Sequence, residues 1–92
     1  MPLQVRHDSA ASRFATDTAG GTAECVYRLG GGVMNIVHTE VPTASQGHGV
    51  AAALVQASLA FARAQGLKVR PSCSYVRSYM RRHPDTLDLL ER

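Results

Sequence analysis

The residues best able to do chemistry lie in two short stretches and on one strand. The first stretch is Val41-Pro42-Thr43-Ala44-Ser45-Gln46-Gly47-His48-Gly49-Val50-Ala51. An extended run ends there, small residues follow, and a helical pattern begins. Such a junction presents backbone N–H groups with no intrahelical acceptor, at the positive end of a helix dipole. Glycines at 47 and 49 let a ligand come close to the main chain. The combination describes a cradle for phosphate. It lacks the Gly-Lys-Ser/Thr ending of a P-loop and the three glycines of a dinucleotide fingerprint. The bland alternative is a helix start that happens to carry two glycines.

The second stretch is Pro71-Ser72-Cys73-Ser74-Tyr75-Val76. Cys73 sits between an extended end and a helix start, where the dipole favours the nucleophilic thiolate. It is a candidate nucleophile, set against a small inert thiol. Tyr75 and Tyr79 follow on the helix. His38 and Glu40 share one face of a strand, and either could act as general base if that face meets a cleft. The alternative is a solvated or hydrogen-bonded strand pair. Cys25 falls on an apolar strand face with Ala23, Tyr27 and Leu29 and reads as core. His48 should turn its ring to solvent, while His7 and His83 have no evident partner. The histidines show no HxxxH or HExxH spacing, so no metal site is expected. No GxSxG elbow is present, which argues against a serine hydrolase.

The elements that must position these residues follow from periodicity and breakers. Leu3 to Asp8 and Thr22 to Leu29 alternate, and Ser12 to Thr18 is a weaker extended piece. Gly20-Gly21 and Gly30-Gly31-Gly32 mark turns. Val33 to Val41 is a nearly continuous strand run, as expected of a central strand covered on both faces, and Pro42 ends it. Gly47 to Gln65 carries Val50, Leu54, Ala57, Phe61 and Ala64 at helical spacing, with a second row at Ala51, Val55, Leu59 and Ala62. Gly66 is a suitable stop. Leu67 to Pro71 is extended, Ser74 to His83 helical, and a last turn lies within Asp85 to Leu90. The strand–helix–strand unit from Val33 to Pro71 implies a parallel pair, whereas the short earlier turns imply antiparallel pairs. The expected fold is α+β, with about five strands and two main helices.

Composition sets the outer bounds. The chain has 92 residues, 45% hydrophobic and 18% charged, which suits one domain over 1–92 and excludes a disordered polyelectrolyte. Met1 to Asp8 turns polar at once, and no apolar run approaches the ~18 residues of a membrane span, so a cytoplasmic location is expected. Two cysteines without CxxC spacing make no disulfide framework and should be free thiols. A net charge of +3 suits an anionic ligand but is too small to argue for nucleic acid, and the absence of Trp leaves little to stack on bases. Arg77, Arg81 and Arg82 form a basic strip that reads as a solvated helix end, or as a contact for a ligand phosphate or an acidic partner.

Gln46-Gly47-His48-Gly49-Val50-Ala51 resembles the Gln/Arg-x-x-Gly-x-Gly/Ala signature of the GNAT N-acetyltransferase superfamily. With Val37-His38-Thr39-Glu40-Val41-Pro42 before it and Pro71 to Val76 after, the chain resembles the small, single-domain YjdJ-like branch from about Phe14 to Leu90. The resemblance implies a GNAT-like mixed, mostly antiparallel sheet with strands four and five parallel. It implies acetyl-CoA as co-substrate, its pyrophosphate held by Gln46, Gly47, His48, Gly49, Val50 and Ala51. Its pantetheine arm would meet the backbone of Thr39, Glu40 and Val41, in a cleft where strands four and five splay. It further implies Cys73 as nucleophile or acyl acceptor, and Tyr75 or Tyr79 as proton donor to the leaving thiolate. The expected function is acetyl transfer to a primary amine by a monomeric enzyme. A catalytically weak CoA- or acyl-CoA-binding module is the alternative, and a basic adaptor a weaker third. The helices that larger members insert after the first strand are missing, which leaves the acceptor open.

Overall fold

The computed structural model describes residues 3–91. Five strands form one sheet in chain order: β1 (Arg6–Asp8), β2 (Arg13–Thr18), β3 (Gly21–Gly30), β4 (Val33–Glu40) and β5 (Lys68–Pro71). The first four pair antiparallel through short connections. β4 and β5 pair parallel, with α1 (Val50–Ala64) as the crossover. α2 (Ser74–Arg82) and a 3-10 segment over Pro84–Leu89 complete the chain. The α+β class, the parallel pair and both helices agree with the sequence reading.

The two helices share one face of the sheet. α1 buries Val50, Leu54, Val55, Ser58, Leu59 and Ala62, and α2 buries Val76, Tyr79 and Met80. They meet Phe14, Cys25, Tyr27, Met34, Ile36 and Val69 from the strands in one apolar cluster. Burying each larger aliphatic side chain stabilises the fold by about 1.5–3 kcal/mol, so this single layer contact is the main source of stability.

The expectation that β4 is covered on both faces is wrong. Its burial alternates, and His38 and Glu40 stand exposed on the face without helices. The cause is a β-bulge. Tyr27 pairs with Ile36 and Val26 with His38, so Val37 is an extra residue on β4. Before the bulge Met34 and Ile36 point into the core; after it Thr39 does. Without the bulge, His38 and Glu40 would share the inward phase of Met34 and Ile36. The bulge therefore turns two ionisable side chains out of the apolar layer.

Three smaller expectations also change. Leu29 lies opposite Met34 yet is 55% exposed, because the β3–β4 hairpin tip extends past the helices. His7 has partners after all: its ring stacks on Phe14 at 4.2 Å, and Nε2 shares a 2.5 Å hydrogen bond with the Tyr27 hydroxyl. His83 stacks on Tyr79 at 3.9 Å and bonds its carbonyl through Nδ1 at 2.8 Å. α1 begins at Val50 rather than Gly47, since Gly47 and Gly49 take φ of 82° and 78°, a left-handed backbone that cannot continue a helix.

Candidate functional site

The β4–α1 junction is fixed before any ligand is considered. Pro42 ends the strand, and a 3-10 turn over Thr43–Ser45 carries the chain across to α1. Ser45 is buried, donates to Thr18 Oγ1 at 2.8 Å and accepts from the Gly20 N–H at 3.2 Å. A Cβ on Gly20 would lie 3.1–3.2 Å from Ala44, Ser45 and Pro42, so a side chain there would press on the loop it contacts. The Gln46 side chain donates to the Val41 carbonyl at 3.1 Å and ties the two ends of the loop together.

The amides beyond that loop are free. Ser45 and Gln46 donate to Pro42 and Thr43, and the first donor bound into α1 is Ala53, to Gly49. Among the described residues, the N–H groups of positions 47–52 reach no protein acceptor. Consecutive unsatisfied donors at a helix start form a concentrated anion site.

A second open backbone stands beside it. β5 pairs with β4 only as far as Pro71 opposite Ile36, and the Cys73 N–H then closes on the Ile36 carbonyl at 3.0 Å. The chain turns away into α2, while β4 runs on to Glu40. The β5 side of β4 after the bulge therefore has no strand partner.

One cavity of about 510 Å³ joins the two features. Thr39 and Val41 line it from β4, and Ser45, Gln46, Gly47 and Gly49 from the loop. Val50, Ala51 and Ala52 line it from α1, and Tyr75 and Arg82 from α2. Eight of the predicted residues are thus brought together: Thr39, Val41, Gln46, Gly47, Gly49, Val50 and Ala51, with Tyr75 opposite. Ser45 and Ala52 were not singled out from sequence, and Arg82 was named only within the basic strip. Arg82 alone had a signal, its seven-residue spacing from Tyr75 on one helix face.

Four predicted residues stand outside the lining. The His38 Nε2 and the Glu40 carboxylate lie in an exposed 3.0 Å hydrogen-bonding contact on the opposite sheet face. His48 is exposed in the loop, so its contribution there is its N–H. Cys73 is half-buried at the N-cap of α2, and its thiol donates to the Thr39 hydroxyl at 3.7 Å. Thr39 also contacts the Cys25 sulfur at 3.7 Å, and Ser58 donates to the same sulfur at 3.5 Å. Burial pushes the Cys25 thiol up, against the pull of the Ser58 and Thr39 hydrogen bonds. Cys25 is core, as read from sequence. Tyr79 is likewise pushed up, first by burial and then by Tyr75 and Asp85, and it faces a separate pocket beside Leu59 and His83. Among the described residues no cluster of three His, Cys, Asp or Glu side chains could hold a metal ion, and no helix is long and apolar enough to cross a membrane.

The site thus stands where β4 and the edge strand β5 part, beside a free helix start and under a single helical layer. The sequence model of the GCN5-related N-acetyltransferase family matches residues 13–89, and the chain belongs to that family. It is 34% identical over 86 residues to protein NATD1 of Gallus gallus, covering 90% of this chain and 78% of the relative. It is 33% identical to protein NATD1 of Homo sapiens over 90% of this chain and 76% of the relative. Its fold also matches the NMR solution structure of a GCN5-like protein from Staphylococcus aureus, with a TM-score of 0.71 at 24% identity, over 97% of this chain and 88% of that one. That last likeness concerns the fold alone. Family membership supports acyl transfer as the general activity.

Proposed function

We propose that this chain is an acetyl-CoA-dependent N-acetyltransferase that moves an acetyl group to a primary amine. The observation carrying this reading is the cavity that runs from the unpaired edge of β4 to the free amides of positions 47–52. The residues present fit the donor: the lining holds no carboxylate, one arginine and a run of backbone donors. The bound donor supplies an acetyl group as a thioester, already activated toward a neutral amine. The amides from Gly47 to Ala51, with Gln46 bracing the loop, bind its pyrophosphate. The backbone of Thr39, Glu40 and Val41 holds the pantetheine arm, and a free N–H on that edge polarises the carbonyl. Glu40 or His38 takes the proton of an amine arriving from the helix-free face. Tyr75 gives a proton to the departing sulfur. Cys73, one hydroxyl removed from the cavity through Thr39, is the candidate acceptor of the acyl group. The reading takes 1–92 as one cytoplasmic, monomeric domain.

The second reading is a CoA- or acyl-CoA-binding module with little catalysis. It is favoured by the bare sheet face and by the position of His38, Glu40 and Cys73 outside the cavity wall. Chromatographic measurement of free CoA, with a panel of primary amines, separates the two. Enzyme activity requires amine-dependent release, lost in Cys73→Ala with acetyl-CoA binding retained. Full turnover of Cys73→Ala removes the cysteine from the mechanism. Binding without any amine-dependent release leaves the module.

A further inference from the structure

A second hollow lies outside the donor cavity and shares no residue with it. It is a groove of about 210 Å³ between α2 and the C-terminal strap. Pro71, Met80, Leu87 and Leu90 supply its apolar surface, and Arg77 and Arg81 stand at its rim. Both walls are held in place without a ligand. On one side, Arg77, Met80 and Arg81 are neighbours on one face of α2 by their three- and four-residue spacing. On the other, Arg63 pairs with Asp88 at 2.8 Å, and Lys68 donates to the Asp88 carbonyl at 2.9 Å. Arg70 pairs with Glu91 at 2.6 Å, and the Glu91 N–H reaches the Val69 carbonyl at 2.9 Å. The strap buries Leu89 and leaves Leu87 39% exposed beside the groove.

The rim carries charge that the protein does not answer. Arg77 donates to the carbonyls of Pro71 and Ser72, which are neutral acceptors. Among the described residues neither Arg77 nor Arg81 has a carboxylate within ion-pair distance. Like charges four apart on a helix repel, and a carboxylate set between them relieves that repulsion. The backbone beside the groove excludes an added strand, because Pro71 has no N–H and the Val69 carbonyl is taken by Glu91. A partner must therefore be held by its side chains. A bilayer is met by protruding apolar residues, whereas here the apolar atoms line a hollow with room for one large side chain. We propose that this groove docks an acidic peptide segment of a partner protein. One large apolar side chain of the segment sits between Met80 and Leu87, and its flanking carboxylates meet Arg77 and Arg81. The proposal is independent of the donor reading. It also divides the arginines that the sequence groups into one strip: Arg82 faces the donor cavity, and Arg77 and Arg81 face the groove.

The test is an amide and methyl NMR titration of the full chain with a synthetic peptide of glutamates flanking one central leucine. Saturable shifts are expected at Arg77, Met80, Arg81, Leu87 and Leu90. A serine-centred peptide should bind about tenfold more weakly through loss of the buried side chain. A peptide with lysines in place of the glutamates should not bind, and added salt should weaken the acidic one. Arg81→Gln keeps a good helix former at an exposed position, so its spectrum should stay folded while affinity falls about tenfold. Arg28→Gln, which removes an exposed cation on β3, should change nothing. The absence of saturable shifts, equal binding of the serine-centred peptide, or equal losses in Arg81→Gln and Arg28→Gln overturns the proposal. Sedimentation with phosphatidylserine vesicles, lost in Arg81→Gln while the peptide causes no shift, would make the face a lipid surface and overturn it as well.

Discussion

Two glycines in the same backbone state make a matched pair for testing the loop. Gly49 has φ 78° and Gly66 has φ 68°, and a Cβ at either position meets no atom within 4 Å. Alanine in that region costs about 1–2 kcal/mol of strain. The stiffer unfolded chain returns about 0.4–1 kcal/mol. Each substitution to Ala should therefore cost about 1 kcal/mol net and lower Tm by about 4–8 °C in a domain of this size. The two positions differ in what they serve. Gly49 is the N-cap of α1 and lines the cavity, whereas Gly66 closes the far end of the same helix through its N–H to Arg63. An alanine at 49 that relaxes toward negative φ rotates the peptides at the helix start and re-aims the free amides. Calorimetry should show Gly49→Ala weakening acetyl-CoA by about tenfold, roughly 1.4 kcal/mol, with Gly66→Ala near wild type. Equal effects of the two substitutions on binding, in either direction, would refute the assignment of the loop.

Other predictions concern the thiols, the charged groups and the candidate base. Because burial raises the Cys25 thiol, the folded chain keeps a proton that the unfolded chain releases near pH ~8.5. Stability should then fall as pH rises from there through the folded value, and urea midpoints from neutral to alkaline pH should show a shallower decline in Cys25→Ala; an unchanged slope would contradict this. Iodoacetamide on the native chain should label Cys73 and spare Cys25, as peptide mapping can check. The Arg63 and Arg70 guanidiniums hold Asp88 and Glu91 below the usual carboxylate range. Their contribution is present above the unfolded values of ~3.9 and ~4.3 and lost as pH falls through the folded ones. Amide protection in the Pro84–Leu89 segment, taken relative to the intrinsic exchange rate at each pH, should therefore fall in acid, and already at pH ~5 in Arg63→Gln; unchanged protection there would remove the tether. Glu40→Gln should lower turnover with acetyl-CoA binding intact, and full turnover would pass the proton-accepting role to His38.

Most of this architecture could be read from residue order. Alternation in Thr22 to Leu29, the break at Pro42 and the helical rows from Val50 onward gave the element order and the parallel pair. The loop was legible because its signal is local: two glycines between a strand end and a helix start. The bulge at Val37 was not, because a one-residue register change depends on pairing with β3, and the run Val33 to Val41 carries no breaker to mark it. That slip is why β4 read as covered on both faces. The partners of His7 escaped for a similar reason, since Phe14 and Tyr27 reach it only across strands. Arg82 looked equivalent to Arg77 and Arg81 until packing against α1 fixed the rotation of α2. The role of Ser45 in pinning the loop to Gly20 and Thr18 likewise depends on a contact between segments far apart in sequence.

The central claim is that this cavity binds a CoA thioester through the β4–α1 junction, and acetyl-CoA calorimetry with ATP as the phosphate control tests it most directly. At ligand concentrations 100-fold over the dissociation constant, binding should stabilise the fold by about 2.7 kcal/mol. For this chain length that corresponds to a Tm rise on the order of 10 °C. The account predicts binding and that rise with acetyl-CoA and neither with ATP. No binding of acetyl-CoA, or equal binding of ATP, would contradict it and reduce the junction to an architectural feature of the fold.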